Sequence, residues 1–292
     1  MQLYALRMNI DLRQLRSFVA IIDEGSFTDA AIELRMSQAA VSRNLAALEA
    51  GLGSRLVHRT TRTVELTPAG ERALPHARRA IASVGELERS VRAGSNVLTL
   101  GYAWSALGAH TVEFQRRWAA ASPETELQLV RTNSPTAGLA EGRAQVSVVR
   151  RPLTSGEYEV AVVGLERRYC AMASDHPLAR RRSVTLADLA TTPLAIDSRT
   201  GSTVLDLWPA SARPETVIDT NDVDDWLAVI SSARAFGMTS EATVHQYRRP
   251  GVSYRLVRDA PRIAVYLAWS RTDPPAQLTR VLELVSELYR NP

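Results

Sequence analysis

The chain has 292 residues, 45% of them hydrophobic and 23% charged. That is enough apolar material for cores in two domains at roughly 150 residues each, and it excludes a disordered, collagen-like or disulfide-stapled chain. All 35 basic residues are arginine, Cys170 is the single cysteine and the formal net charge is +4; a Schiff-base or phosphate-loop lysine, an intrachain disulfide and a cysteine-built zinc cage are therefore excluded within one chain. Apolar runs such as 263–269 fall far short of the ~18 residues a membrane span needs, and the N-terminus lacks a secretory apolar core. These features fit a cytoplasmic protein without a membrane partner. The mild positive charge suits a nucleic-acid partner and an ordinary solvated surface equally.

In chain order, residues 11–66 carry apolar positions at helical spacing in short runs divided by turn signals, with a strand first at 63–66. Leu15, Phe18, Val19 and Ile22 form one stripe, Gly25 ends it, and Ser26-Phe27-Thr28-Asp29 reads as a capping box that opens a second helix with Ala30, Ala31 and Leu34 inward. Ser37 caps a third helix that buries Val41, Leu45 and Leu48, which leaves Gln38, Ala39, Ser42, Arg43 and Ala46 on the other face. After Thr67-Pro68, residues 69–92 form one long helix with Ala73, Ala77, Ile81, Val84, Leu87 and Val91 spaced by three and four. Such a seam, bounded by Arg72, Arg78, Arg79, Glu86, Glu88 and Arg89, suits a two-chain contact better than packing on its own domain. Residues 93–96 then stop the helix.

Beyond it, short β-rich runs alternate with helical stretches: 97–101, a helix from about 105 to 121, 126–130, a short helix, then 146–149. A second set follows at 169–173, 193–196, helices around 203–207 and 223–231, strand 263–269, and a last helix ending near Tyr289. The alternation predicts parallel sheets wrapped by helices in an α/β domain of two lobes, with the chain crossing near 162–167 and returning near 262 and a ligand cleft between the lobes. No metal-ligand cluster or cofactor motif is found, so no metal or cofactor is expected.

Three short helices followed by a strand pair are the parts of a winged helix-turn-helix, whose third helix enters the major groove. On that helix Arg43 suits guanine, Gln38 and Asn44 suit adenine, and Ser42 suits a phosphate or a base edge, while Ser37 and Ala39 complete the N-terminal turn. Arg55, His58, Arg59 and Arg62 follow as a basic patch suited to phosphates. A plain three-helix scaffold with a solvated polar face carries much of the same pattern.

The residues 12–18, Gly25-Ser26-Phe27-Thr28-Asp29-Ala30-Ala31, Ser37-Gln38-Ala39-Ala40-Val41-Ser42-Arg43, Leu48-Glu49 with Leu52-Gly53, Arg59-Thr60-Thr61-Arg62 and Leu66-Thr67-Pro68-Ala69-Gly70 together resemble the DNA-binding end of LysR-type transcriptional regulators. The likeness continues more thinly through the linker helix, Asp175-His176-Pro177-Leu178-Ala179 and Leu186-Ala187-Asp188-Leu189. It implies a bacterial regulator with a winged helix-turn-helix domain at 8–68, a dimerisation helix at 69–94 and a periplasmic-binding-protein-like effector domain at 95–292. In that domain, lobe I would take about 95–164 and 266–292, and lobe II about 165–265. It also implies double-stranded promoter DNA as partner, a homodimer that assembles into a homotetramer, a small-molecule effector, and Met8 as an alternative start. The chain departs from the family pattern at Ala39, Asn44 and Val57, so the operator sequence does not carry over, and at Gln145 and Ala235, so the fine geometry of the sensing lobes does not carry over either.

By the same resemblance, effector contacts fall on Trp104, Ser105, Thr132, Asn133, Ser134, Arg150, Ser202 and Thr203. Hydroxyls and amides at helix N-termini bind carboxylates, and Arg150 at a strand end would supply the counter-charge, so a small organic anion is expected. The alternative for each residue is local: Ser134 and Ser202 as caps, Arg150 in a surface salt bridge. Peroxide-sensing members of the family use a cysteine, but Cys170 lies in an apolar strand and reads as a small hydrophobe; His176, in a turn, is no catalytic partner for it. A second function remains open at this stage: an enzyme or solute-binding module whose helical N-terminus serves assembly. Against it stands the lack of a phosphate loop, a metal cluster or a triad.

Overall fold

The computed structural model of the protein describes residues 10–59, 64–91, 97–210 and 213–290, which cluster into two compact units. The predicted phosphate contact Arg62 lies outside the described residues.

In the first unit, α1 (Leu12–Glu24) opens with a reciprocal cap. The Asp11 carboxylate accepts the Arg13 amide at 2.8 Å and Gln14 accepts the Asp11 amide at 3.2 Å, which satisfies donors that a helix start otherwise leaves open. Gly25, left-handed at φ 71, ends it. Ser26 caps α2 (Phe27–Glu33) through the Asp29 amide at 3.0 Å, and Ser37 caps α3 (Gln38–Leu52) through the Ala40 amide at 3.2 Å. The strands β1 (Val57–Arg59) and β2 (Val64–Leu66) pair antiparallel. Phe18, Ile21, Val41, Leu45 and Leu48 form the core of this unit. Gly70 in α4 (Pro68–Val91) sits where any Cβ would strike the Leu56 carbonyl, so the helix packs tightly beside the wing.

The seam expected on α4 is divided. Ala77 is buried, and Ala73 and Ile81 pack against the same core, while Arg78 pairs with Asp23 of α1. The first half of the stripe is therefore spent within its own module. Val84 and Leu87 lie beyond that contact, with Leu87 61% exposed.

In the second unit, one lobe is built on a sheet ordered β4-β3-β5-β13-β6: β3 (Val97–Tyr102), β4 (Glu126–Arg131), β5 (Val146–Val149), β6 (Tyr158–Glu166) and β13 (Ile263–Ser270). The helices α5 (Thr111–Ala121) and α9 (Leu278–Arg290) cover it through Phe114, Trp118, Val281, Val285 and Leu288. The other lobe is a sheet ordered β10-β9-β11-β7-β12-β8: β7 (Arg168–Ala173), β8 (Ser183–Val184), β9 (Leu194–Ile196), β10 (Val217–Asp219), β11 (Phe236–Ser240) and β12 (Val252–Val257). It is packed by α6 (Leu186–Leu189) and α7 (Val223–Ser231), while α8 (Glu241–Gln246) continues from the end of β11. Only Arg167 separates β6 in the first sheet from β7 in the second, and residues 258–262 lead back to β13.

The sheets are mixed rather than parallel, because each crossing reverses the chain. β13 inserts antiparallel between β5 and β6, and β7 lies antiparallel between β11 and β12. Strands β6 and β12, with Glu159 and Arg255 among their apolar residues, carry a weaker periodic signal and are absent from the sequence prediction. The short helix expected before β5 is a run of turns, since Ala137 and Gly138 take left-handed φ values of 49 and 100 that break a helical ladder. Gly108 at φ 57 likewise delays α5, and extended Val204 restricts the helix expected at 203–207 to a 3-10 turn, Leu205–Leu207.

Trp226 holds α7 to the second sheet: it is 1% exposed, donates Nε1 to the Ala195 carbonyl at 3.1 Å and packs closely against Gly237. A methyl group at Gly237 meets the indole ring and Ile230. Gly237→Ala is expected to cost about 1–3 kcal/mol through overpacking, read as a lower thermal midpoint by circular dichroism; an unchanged midpoint would show that α7 moves freely.

Candidate functional site

The third helix presents a polar face. Val41, Leu45 and Leu48 are buried, and on the opposite side Gln38, Ala39 and Arg43 are exposed and Ser42 half-exposed. Ser37 spends its hydroxyl on the cap. Among the described residues Arg43 has no ion-pair or hydrogen-bond partner, so its planar fork is free for an external acceptor. Asn44 differs from expectation: it is half-buried and donates Nδ2 to the Ser17 hydroxyl of α1 at 2.9 Å, while Ser17 donates to the Arg13 carbonyl at 2.9 Å. Its amide braces α3 on α1 instead of pointing outward. One helical step from Arg43 separates an outward residue from an inward one, which the sequence pattern alone left open. Arg59 is the last residue of β1.

The second site is the cleft between the lobes, a cavity of about 480 Å³, within the size range of small-molecule sites. Of the residues expected there, Trp104, Ser105, Ser134, Arg150, Ser202 and Thr203 line it; Thr132 and Asn133 do not. Asn133 instead donates to the Asn221 carbonyl at 2.7 Å, and Thr132 is buried behind the wall. Several of the lining hydroxyls already have partners. Ser105 shares a hydrogen bond of 3.2 Å with Thr243 across the lobes, Thr203 donates to the Met238 carbonyl at 2.9 Å, and Ser134 accepts the Gly138 amide at 3.4 Å within its own turn.

Arg150 departs furthest from expectation. Its guanidinium meets both oxygens of Glu166 at 2.9 Å and donates to the Ser105 and Ala106 carbonyls at 2.7 and 2.9 Å. The two side chains keep only 11% and 5% of their exposure. Tyr289 of α9 donates to Glu166 at 2.7 Å. Burial alone would raise the Glu166 carboxyl, but the Arg150 charge and the hydrogen bonds from Arg150 and Tyr289 outweigh it and hold the pKa below the usual range. Burial pushes the Tyr289 phenol up, with Glu166 adding to the shift. Arg150 is thus an internally paired cation that lines the cleft rather than part of a surface salt bridge.

Sequence reasoning missed Asp197. It is 2% exposed in the cleft wall and accepts the Trp104 indole at 2.9 Å, the Arg199 and Thr200 amides at 2.9 and 3.1 Å, and the Thr200 hydroxyl. Trp104 belongs to one lobe and Asp197 to the other, so this bond spans the cleft. The Trp104 ring also packs edge-on against Trp226, 5.2 Å between centroids. The available signal was an acidic residue directly after the apolar strand at 193–196, where open α/β sheets place ligand residues. Cys170 is fully buried, burial pushes its thiol up, and His176 caps its own turn through the Leu178 amide at 3.2 Å; the pair has no reactive geometry.

Removing Arg150 leaves Glu166 buried and uncompensated, which typically costs about 3–5 kcal/mol, whereas an apolar pair of similar volume recovers most of that loss. Arg150→Ala is expected to lower stability by that amount in urea unfolding and Arg150→Met with Glu166→Leu to restore it. Because the Glu166 pKa is depressed in the folded state, its contribution is present at neutral pH and disappears on acidification through the carboxylate range. An Arg150→Ala loss near zero would refute the pairing.

Two family models match the chain: "Bacterial regulatory helix-turn-helix protein, lysR family" over residues 12–71 and "LysR substrate binding domain" over 92–290. The transcriptional regulator IlvR of Caulobacter vibrioides is 31% identical over 291 residues, 95% of this chain and 98% of IlvR. ShiR of Corynebacterium glutamicum is 34% identical over 192 residues, 62% of this chain and 64% of ShiR. The crystal structure of full-length CbnR complexed with target DNA is 22% identical, covers 95% of this chain and 99% of that one, and superposes with a TM-score of 0.54, a likeness of fold. The relatives are regulators rather than enzymes. With both family models matched and 31% identity to IlvR over nearly the full length of both chains, the chain belongs to the LysR family of bacterial transcriptional regulators.

Proposed function

We propose that this regulator binds double-stranded promoter DNA through the outward face of α3 and that a small organic anion in the cleft modulates that binding. The observation that carries the first half is Arg43, exposed beside Gln38, Ala39 and Ser42 and free of partners among the described residues. A guanidinium so placed forks to guanine O6 and N7, while Ser37 at the N-terminus of α3, Arg59 and Arg62 serve the phosphates. Asn44 supports the helix from within the module. Trp104, Ser105, Ser134, Ser202 and Thr203 form the effector wall, and Thr132 and Asn133 shape it from behind.

The DNA-binding domain takes 8–68, the linker helix 69–94 and the effector domain 95–292. The chain acts as a homodimer, joined through the part of α4 beyond Ile81 and an open apolar groove between α1, α3 and α4 lined by Leu15, Leu52, Ala73 and His76, and two dimers form a tetramer. For DNA binding, CbnR complexed with its target DNA is a precedent among similar structures. Among the described residues no helix is long and apolar enough to cross a membrane; a promoter-DNA partner supports a cytoplasmic location.

The test is a preferred duplex selected by the wild-type protein from a random library. Arg43→Ala is expected to narrow the gap between that duplex and random DNA by about 1–3 kcal/mol while sedimentation shows an unchanged assembly. Full discrimination retained by Arg43→Ala would reject the role of α3.

A further inference from the structure

Around the cleft, one buried charge lacks an acidic partner among the described residues. Arg150 is neutralised by Glu166, and the half-buried Arg199 donates its guanidinium to the Asn221 carbonyl. Arg151 is exposed and reaches the Ser198 carbonyl at 3.2 Å. The unpaired charge is Arg168, the first residue of β7 after the crossing. It is 6% exposed, and among the described residues no carboxylate lies within ion-pair distance of it. Its guanidinium touches two carbonyls, Nε to Pro261 at 3.3 Å and Nη1 to Ser202 at 3.2 Å. Neutral dipoles do not repay the cost of burying a full charge, which is why buried arginines are nearly always paired with an acid. Burial accordingly pulls the Arg168 pKa down to about 10, with no neighbouring acid to hold it up.

Its location gives that cost a use. Ser202, whose carbonyl it holds, lines the cleft, and so does Ser240, its cross-strand partner on β11. Side chains of directly opposed residues in an antiparallel pair project to the same side of the sheet. The guanidinium therefore lies immediately behind the floor formed by Ser202, Thr203, Met238 and Ser240. A uniform positive charge behind a low-dielectric wall projects its field into the cavity in front of it.

We infer that Arg168 is the specificity-determining charge of the cleft: it selects a ligand with an anionic group seated at the Ser202–Thr203 floor, and that group is the counter-ion which the folded chain itself lacks. This deepens the reading of the cleft as an effector site and rests on it. Arg168 acts through the floor, as a positioning charge, and need not touch the ligand. The role passes to it from Arg150, whose charge is already spent.

The full-length protein is titrated with three carboxylates and their neutral amides, acetate, benzoate and succinate against acetamide, benzamide and succinamide, by calorimetry and thermal shift. Wild type is expected to prefer each carboxylate by about tenfold or more, a 1.4 kcal/mol difference. Arg168→Gln is expected to bring the members of each pair to equal affinity, and Arg168→Lys, which keeps the charge, to retain the preference. A purely structural role for Arg168 would weaken carboxylates and amides alike. Equal binding of both classes by wild type would overturn the anionic effector itself; a preference in wild type that survives in Arg168→Gln would overturn only the assignment to Arg168. Should Arg168→Gln fail to fold or no probe bind, Ser202→Asp decides without ligand. An acid placed beside the guanidinium is expected to raise the melting temperature above wild type, and a melting temperature unchanged or lowered overturns the inference.

Discussion

A charge removed from water must find its opposite, and this constraint organises the effector-binding part of the molecule. Arg150 and Glu166 stand at the ends of β5 and β6, where the first sheet gives way to the crossing, and their pair gathers the Ser105 and Ala106 carbonyls and the Tyr289 hydroxyl into one buried network. Four separate segments, β5, β6, α9 and the loop after β3, are tied at one point. All four belong to the first lobe, and opening the knot would strand ions in a medium that solvates them poorly. The same rule turns Asp197 into a cross-lobe latch: a carboxylate that is 2% exposed draws donors from wherever they exist, here from its own loop and from Trp104 on the opposite lobe.

The helical module obeys a milder version of the same economy. Each helix start is closed by a side chain, Asp11, Ser26 or Ser37, so the short helices do not depend on length for their stability. Within α3, Asn44 and Arg43 are neighbours with opposite fates. The asparagine is drawn inward because Ser17 on α1 offers an acceptor at hydrogen-bond distance, and the arginine is left outward because nothing on α1 or α2 meets it. The alanines of α4 lie against α1 for a steric reason, since small residues let two helix axes approach closely. That contact takes the first half of a stripe whose spacing alone reads as one continuous seam.

Much of the fold was legible in order. Capping residues and the apolar spacing of α1, α3 and α7 located those helices, and the apolar runs at 97–101, 146–149, 169–173 and 263–269 located four of the strands that hold the sheets together. Local chemistry decides these, so a linear reading recovers them. Strand direction escaped it, because whether β13 enters parallel or antiparallel depends on where the chain was sent one crossing earlier. The turns at 134–142 escaped it too, because Ala137 adopts a left-handed conformation that its side chain does not advertise.

By itself, then, the amino-acid order determined the succession of a helical stretch and an α/β stretch and the outward placement of Arg43, which follow from periodicity and capping, while the family followed from the resemblance of whole motifs. The tertiary structure alone decided which charged residues have partners. Arg150, Glu166, Arg168 and Asp197 look alike as letters at strand ends. Their roles differ because electrostatic compensation depends on distance in space, and the groups that neutralise Arg150, or fail to neutralise Arg168, are brought near or kept away only by the way the two sheets exchange the chain.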